Sequence, residues 1–323
     1  LLSKKADLGC LNRFYSYSEH LKGTFGGRTY KVVVNSGLTC PTRDGKLGSK
    51  ACAFCDIRGS SSYYGKIGRG NSIREQLDQR IPEIRERFSS ERFLAYFQSY
   101  TNTYTQVSEL REIYEAALSH PEIKGLCIGT RPDCLPDEVL GLLDELSHRT
   151  HLSLELGVQS FEDQTLAWLD RGHDAKCSRE AIARVRSRAP RVDVGVHLIF
   201  GSPTDLPDTP ERAAREINES GAHGVKLHQL MVLERTELAR RWREDGGFDV
   251  LSLEQYADQV GRFLSWLDPK IYVERLCATA SHPEECIAPE WSRARWEPLN
   301  FLNRWLEQRE IWQGARWVNL SGA

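Results

Sequence analysis

No stretch of the 323 residues approaches the length of a membrane span, and mean hydropathy is low, −0.49. These two absences argue against a helical membrane protein. The opening residues, LLSKKADLGCLNRF, lack the long apolar core and small-residue cleavage site of a secretion signal. There is no low-complexity tract and no internal repeat beyond an alternation of strand and helix. Net charge is small, −2, so any charge signal must lie in its distribution. Nine cysteines in such a chain imply thiols kept free in a reducing compartment, and the cytoplasm is the expected location. The length suits one large domain, or one domain with an appendage.

What is present begins with CPTRDGKLGSKACAFC, which places Cys40, Cys52 and Cys55 after the apolar run of Val32, Val33 and Val34. Cys-x-x-Cys sets two sulfurs on one turn. The spacer before it contains Pro41, Gly45 and Gly48 and can fold the first sulfur back onto that turn. A structural zinc site usually takes four N/S ligands. Three thiolates on a [4Fe–4S] cluster would leave one iron open to a ligand. A zinc knuckle with a distant fourth ligand and a redox Cys-x-x-Cys pair also fit the spacing.

Charge is divided unevenly along the chain. Residues 1–74 sum to +9 and the remainder to −11. The basic part is interleaved with Phe14, Tyr15, Tyr17, Phe25, Tyr30, Tyr63 and Tyr64. Cations among aromatic rings suit a nucleic-acid backbone and unpaired bases. A solvated surface with acidic neighbours in space gives the same pattern.

After a lead-in over 1–30, strands are expected from Val32, over 93–98, 125–129, 152–158, 192–200 and 225–230, with one more over 270–273. A Gly- and Ser-rich loop is expected over 59–71. Between the strands, apolar residues recur at helical spacing, as in Ile73, Leu77, Ile81, Ile84 and Phe88. Six βα units with apolar strands predict an α/β fold, a partial (β/α)6 TIM-type barrel over 31–275 with a lateral opening. The extension over 276–323 holds five of the eight tryptophans. Trp296, Leu299, Leu302, Trp305 and Leu306 approximate one helical face, expected to pack across the barrel.

Functional residues of such a barrel lie at the C-terminal ends of its strands. Polar residues recur there: Gln98 and Ser99; Thr130, Arg131 and Asp133; Glu155 and Gln159, then Arg171; His197 to Gly201; Lys226 and His228. Each alone fits a helix cap or a buried hydrogen bond. On one rim together they would line a cofactor and substrate floor, with Lys226 and His228 facing the cavity.

The motifs YFQSYTNTY, GTRPDCLPDEVL, LELGVQSFEDQTLAWLDRGHD, HLIFGSPTDLPDT and KLHQLMVLERTELA accompany the cysteine loop in order. The set resembles the radical SAM superfamily, and within it the YhcC/YtqA-type family. That family is related to the Elongator catalytic subunit and the oxygen-independent coproporphyrinogen enzymes. The resemblance covers about 15–275. It implies a [4Fe–4S] cluster on Cys40, Cys52 and Cys55, with S-adenosylmethionine (SAM) on the open iron. One-electron cleavage of SAM would then give a 5′-deoxyadenosyl radical. It places Phe54 near the adenine and Gln98 and Ser99 at the methionine end. Glu155 and Gln159, expected to face inward together, would hold SAM's polar groups. Arg171 and the backbone of Leu198, Ile199 and Gly201 would be further contacts, and Thr130, Arg131 and Asp133 would serve SAM or substrate. Cys10, Cys127, Cys134, Cys177, Cys277 and Cys286 lack metal spacing and are expected to be structural.

The resemblance further implies action on tRNA, converting carboxymethylaminomethyl at carbon 5 of the wobble uridine to aminomethyl. An electron donor such as flavodoxin or ferredoxin and a downstream methyltransferase would be partners; no membrane is involved. The same chemistry on a small molecule or cofactor precursor is the alternative. A noncatalytic metal-containing RNA-binding module is the third.

Overall fold

The computed structural model describes residues 13–47, 51–56, 72–244 and 246–317. The loop expected over 59–71, with Tyr63 and Tyr64, and the residues Lys4, Lys5 and Cys10 lie outside the described residues. Helix α1 (Tyr17–Phe25) precedes β1 (Thr29–Val34). Then come α2 (Ile73–Phe88), β2 (Arg92–Phe97), α3 (Val107–Leu118), β3 (Ile123–Thr130), α4 (Asp137–Ser147) and β4 (His151–Gln159). The short α5 (Asp163–Trp168) and α6 (Ala175–Arg188) lead to β5 (Asp193–Phe200), and α7 (Thr209–Ser220) to β6 (Gly224–Gln229). The chain continues through β7 (Val232–Leu233), α8 (Glu237–Glu244), α9 (Leu253–Trp266), β8 (Tyr272–Arg275), β9 (Cys286–Ala288) and α10 (Glu297–Gln308).

Among the described residues, seven strands form one parallel sheet in the order β1-β2-β3-β4-β5-β6-β8. Spatial order follows chain order, as repeated crossovers through helices require. The expected six βα units are present, and the stretch near 270–273 supplies a seventh strand. Helix starts follow local chemistry. Ser72 and Glu75 form a reciprocal cap for α2, and Ser252 and Gln255 do so for α9. The apolar stripe of α2 buries Ile73, Leu77, Ile81 and Ile84.

The sheet curls without closing, so β1 and β8 are its edges. Helix α1 lies across the seam between them. The Val273 amide donates to the Tyr15 carbonyl at 2.8 Å, and the Tyr17 and Tyr272 rings pack at 5.0 Å. Higher in the seam, Lys31 of β1 reaches Glu274 of β8 at 2.8 Å. Gly224 has no Cβ because Tyr272 lies on it: a Cβ there would sit 1.9 Å from the ring.

The lead-in differs from expectation in two ways. It contains a capped helix, with Ser16 and Glu19 forming the capping box, and that helix lies at the N-terminal end of the strands. His20 bonds Asp193, the first residue of β5, at 2.9 Å, and Phe25 packs on His151, the first residue of β4. The cysteine loop follows the C-terminal end of β1, so α1 and the loop occupy opposite ends of the barrel. Most of its aromatics are also engaged within the fold. Tyr17 is buried and Tyr30 stacks on Phe88 at 4.2 Å.

Helix α10 packs outside the sheet, on α9, whereas β9 pairs with β7 and brings Ile287 and Ala288 to the apolar patch at the C-terminal ends of the strands. Leu302 and Leu306 of α10 are fully buried, each contributing about 2 kcal/mol by removal from water. Trp296 does not share that face: it is 60 % exposed. Gln313 ties the extension to the lead-in, accepting from the Tyr15 amide at 2.8 Å and donating to the Ile271 carbonyl at 2.8 Å.

Candidate active site

Cys40 and Cys52 are buried and Cys55 is half-buried. The Cys-x-x-Cys turn is held by its backbone. Ala53 donates to the Leu169 carbonyl and accepts from the Leu238 amide, each at 2.9 Å. Phe54 packs on the apolar patch that contains Ala53, Leu169, Ile199 and Leu230. Phe54, expected near the adenine, and Ile199, expected to meet SAM through its backbone, therefore share one patch.

Each of the last two thiols meets guanidinium groups. Arg171 approaches the Cys52 sulfur at 3.2 Å and Arg131 at 3.6 Å, and Arg43 reaches Cys55 at 3.2 Å. Burial pushes the Cys52 thiol up, but Arg171 and Arg131 outweigh it, and its pKa falls below the ordinary 9.0. At Cys55 burial wins over Arg43, and the thiol is pushed up to about 11. Arg131 is fixed by a two-pronged pair with Asp133, at 2.8 and 2.7 Å, and by the Arg171 carbonyl at 2.8 Å. Arg171 donates to the Gly157 carbonyl, and its Nε is buried with no acceptor.

The loop after β2 is organised by Asn102, which had drawn no role of its own from the sequence. Its amide donates to the carbonyls of Phe97, Ser99 and Gly129, each at 3.0 Å. This fixes Gln98 and Ser99 beside the end of β3. Thr130 is buried and bonded to Thr103 at 2.5 Å, so its hydroxyl joins two loops. After β5, the Asp205 carboxylate accepts from the amides of Gly201 and Ser202 at 2.9 and 3.1 Å. Burial still pushes its pKa up to about 6. Gly201 holds φ +95° there, against Leu251. The Leu198 side chain lies in the core, leaving its backbone as the part able to meet a ligand.

Glu155 and Gln159 do not form one inward row. A bulge between Leu156 and Gln159 breaks the alternation, and Gln159 takes φ +72°. Its amide nevertheless folds back over Gly157: a Cβ at Gly157 would lie 2.8 Å from Gln159 Nε2 and 3.1 Å from Arg171 Nη2. Glu155 sits deeper and is saturated. Lys31 takes Oε1, while Tyr96, His197 and Lys226 meet Oε2 at 2.7, 2.6 and 3.1 Å. A carboxylate has about four acceptor sites, and four partners use them here.

Lys226 also pairs with Glu274 at 2.6 Å. Two lysines thus balance two glutamates at the centre of the barrel, with His197 beside them. Burial, then Lys226, lowers the pKa of His197 below its ordinary 6.5 despite Glu155. His228, one step nearer the rim, meets Arg275. Sequence reasoning assigned no role to Lys31, Glu274, Tyr96 or Arg275. The signal for the lysine was its position as a lone charge inside an apolar strand of a buried parallel sheet.

The donor set fits an iron–sulfur centre with an organic ligand beside it. Three thiols stand at the barrel rim, cations favour the thiolate of Cys52, and thiolate is the form that binds metal. The Gln159 amide and the Arg171 guanidinium fill the space beside Gly157 that a Cβ would take, and the Arg171 Nε is buried without an acceptor, so polar groups stand next to them. Among the described residues, no three His, Cys, Asp or Glu side chains are arranged around a single metal ion. No described helix is long and apolar enough to cross a membrane.

An open parallel α/β barrel with three rim thiols and polar strand ends defines the class of SAM-dependent iron–sulfur enzymes. The chain belongs to the radical SAM superfamily: the family model so described matches residues 42–217, and the Radical_SAM C-terminal domain matches 222–308. Membership carries with it a [4Fe–4S] cluster and SAM as cofactors. The chain is 34 % identical to the protein YtqA of Bacillus subtilis over 303 residues, covering 94 % of this chain and 92 % of that one. A shorter match, 33 % over 124 residues, covers 37 % of this chain and 26 % of a tRNA uridine(34) acetyltransferase from Dehalococcoides mccartyi. The fold resembles that of the archaeal Methanocaldococcus infernus Elp3 with an N-terminal deletion. The TM-score is 0.63 at 17 % identity, covering 88 % of this chain and 64 % of that one.

Proposed function

We propose that this radical SAM enzyme modifies tRNA, converting carboxymethylaminomethyl at carbon 5 of the wobble uridine to aminomethyl. The observation that carries the reading is the match to a protein named for uridine 34 of tRNA. Cations lying over rings at the cysteine end support it as well: Arg43 over Tyr100 at 5.3 Å and Lys46 over Tyr104 at 5.1 Å.

In this reading Cys40, Cys52 and Cys55 hold the cluster. Phe54 and Ile199 cover the adenine, and Gln98, Ser99, Gln159 and Arg171 hold the polar ends of SAM. When bound, cluster and SAM would supply a 5′-deoxyadenosyl radical on receipt of one electron from an external donor. The protein's part is to orient SAM through Gln159 and Arg171 over Gly157, to keep water from the apolar patch around Phe54, and to hold the substrate against the polar wall of β5, β6 and β8.

The test is mass spectrometry of tRNA nucleosides from cells lacking the gene. Accumulation of the carboxymethylaminomethyl uridine, with loss of its aminomethyl or methylaminomethyl product, is expected. An unchanged nucleoside profile would overturn the tRNA assignment and leave the superfamily chemistry in place. A second reading, the same chemistry on a small carboxylate-bearing molecule, is favoured by the engagement of Tyr17, Phe25 and Tyr30 in packing, which removes them as base-stacking platforms.

A further inference from the structure

Strand β8 pairs with β6 through Tyr272–Gly224 and Val273–Val225, and then through Arg275–Lys226. Glu274 is therefore an extra residue, and the pairing is bulged at that point. Bulges re-aim side chains, often beside functional sites. Regular alternation would send Glu274 and Arg275 to opposite faces of the sheet. Here both meet interior residues: Glu274 pairs with Lys31 and Lys226, and Arg275 with His228.

The two charges fare differently. Glu274 is consumed by two lysines. Arg275 has no carboxylate partner among the described residues, and its Nε is buried without an acceptor. Its one described partner is a ring that burial, and then Arg275 itself, hold well below the ordinary pKa of 6.5. His228 is therefore a neutral acceptor and cancels none of the charge. A half-buried guanidinium carries five N–H donors, and leaving it unbalanced is costly. It also stands at the C-terminal end of the edge strand β8, beyond the Lys31–Glu274 bridge.

We propose that Arg275, steadied by His228, is the subsite that receives a carboxylate of the substrate. The naming of that carboxylate as the uridine side-chain group rests on the function proposed above; the anion preference does not. A carboxylate matches the planar guanidinium fork and supplies the missing charge. The bulge at Glu274 then has a purpose: it lets one short strand supply both an anion to the interior lysines and a cation to the ligand.

Binding of two anticodon stem-loops to the cluster-loaded full chain tests this. One carries 5-carboxymethylaminomethyluridine and the other 5-aminomethyluridine. The carboxylate form should bind about ten-fold tighter, as expected for a hydrogen-bonded charge pair. Arg275→Gln should erase that preference while leaving the affinity for the aminomethyl form unchanged, and Arg275→Lys should restore part of it. Equal binding of the two forms by the wild type, or a preference that survives in Arg275→Gln, would overturn the proposal. If neither stem-loop binds, the tRNA reading fails and the subsite is decided on the wild-type protein alone. Phenylglyoxal labelling of Arg275, mapped by peptide mass, should then be blocked by malonate and not by malonamide. Equal labelling under both would overturn the subsite.

Discussion

Glu155 of β4 and Lys226 of β6 form a 3.1 Å ion pair at the centre of the barrel, with side-chain exposures of 1 % and 8 %. The pair is not isolated, since Lys31 and Glu274 complete a balanced set. Removing one partner of a buried pair leaves the other uncompensated and costs about 3–5 kcal/mol. Glu155→Gln keeps the shape but not the charge, so stability in urea should drop by about 3 kcal/mol. An unchanged urea midpoint would mean that water already screens these charges.

The same set fixes the pH range of stability. Burial alone would push Glu155 up, but Lys226, Lys31 and His197 hold it well below its ordinary 4.5. Its stabilisation is full above 4.5 and is lost as pH falls through the lower folded value. For Lys31, burial acts downward, and Glu155 and Glu274 raise it well above 10.5. That contribution is full below 10.5 and is lost as pH rises through the higher folded value. A broad plateau between these limits, with the acid limb weakened in Glu155→Gln, is expected in denaturant titrations run at successive pH values.

Two glycines of the barrel should respond differently to a single added methyl group. At Gly224 a Cβ would fall 1.9 Å from the Tyr272 ring, in the packed floor. Gly224→Ala should therefore cost about 3 kcal/mol or prevent folding. At Gly157 the neighbours are the side-chain ends of Gln159 and Arg171, which can move. Gly157→Ala should keep the melting temperature near that of the wild type and weaken SAM binding about ten-fold, a loss of roughly one charged hydrogen bond. Calorimetry and equilibrium dialysis separate the two effects.

The strands were legible because each is an apolar run bounded by turn residues, and helix spacing set their order. Part of the rim was legible in the same way, since Arg131 directly follows β3 and Gln159 ends β4, with Arg171 beyond the short α5. Position within the barrel was not. Helix α1 lies in the basic N-terminal stretch and precedes the cysteine loop closely in sequence, yet its partners are the first residues of β4 and β5. Nothing local encodes which end of a strand a preceding helix will cover. The bulges at Leu156–Gln159 and at Glu274 were equally hidden, because a bulge is a property of two paired strands. They decide that Gln159 leaves the inward row of Glu155 and that Arg275 faces inward.

Cys40, Cys52 and Cys55 should behave as one unit. Serine at any of the three should remove most bound iron and sulfide after anaerobic reconstitution. Cys177 and Cys277, which lie outside the loop and are half-buried, should tolerate serine with iron content unchanged. Full iron content in Cys40→Ser would break the assignment, because the long spacer exists only to bring that sulfur back to the turn.

If tRNA is the substrate, its contacts should follow the geometry rather than the order of charges in the sequence. Lys22 and Arg28 are exposed at the end of the barrel opposite the cysteine loop. Lys46 is exposed at the cysteine end and lies over Tyr104. A phosphate contact contributes close to one unit to the salt dependence of binding. Lys46→Ala should therefore weaken tRNA binding and lower the slope of log affinity against log salt by about one. Lys22→Ala combined with Arg28→Ala should leave both unchanged. The reverse result would place the RNA on α1, far from the thiols, and would separate RNA binding from the radical site.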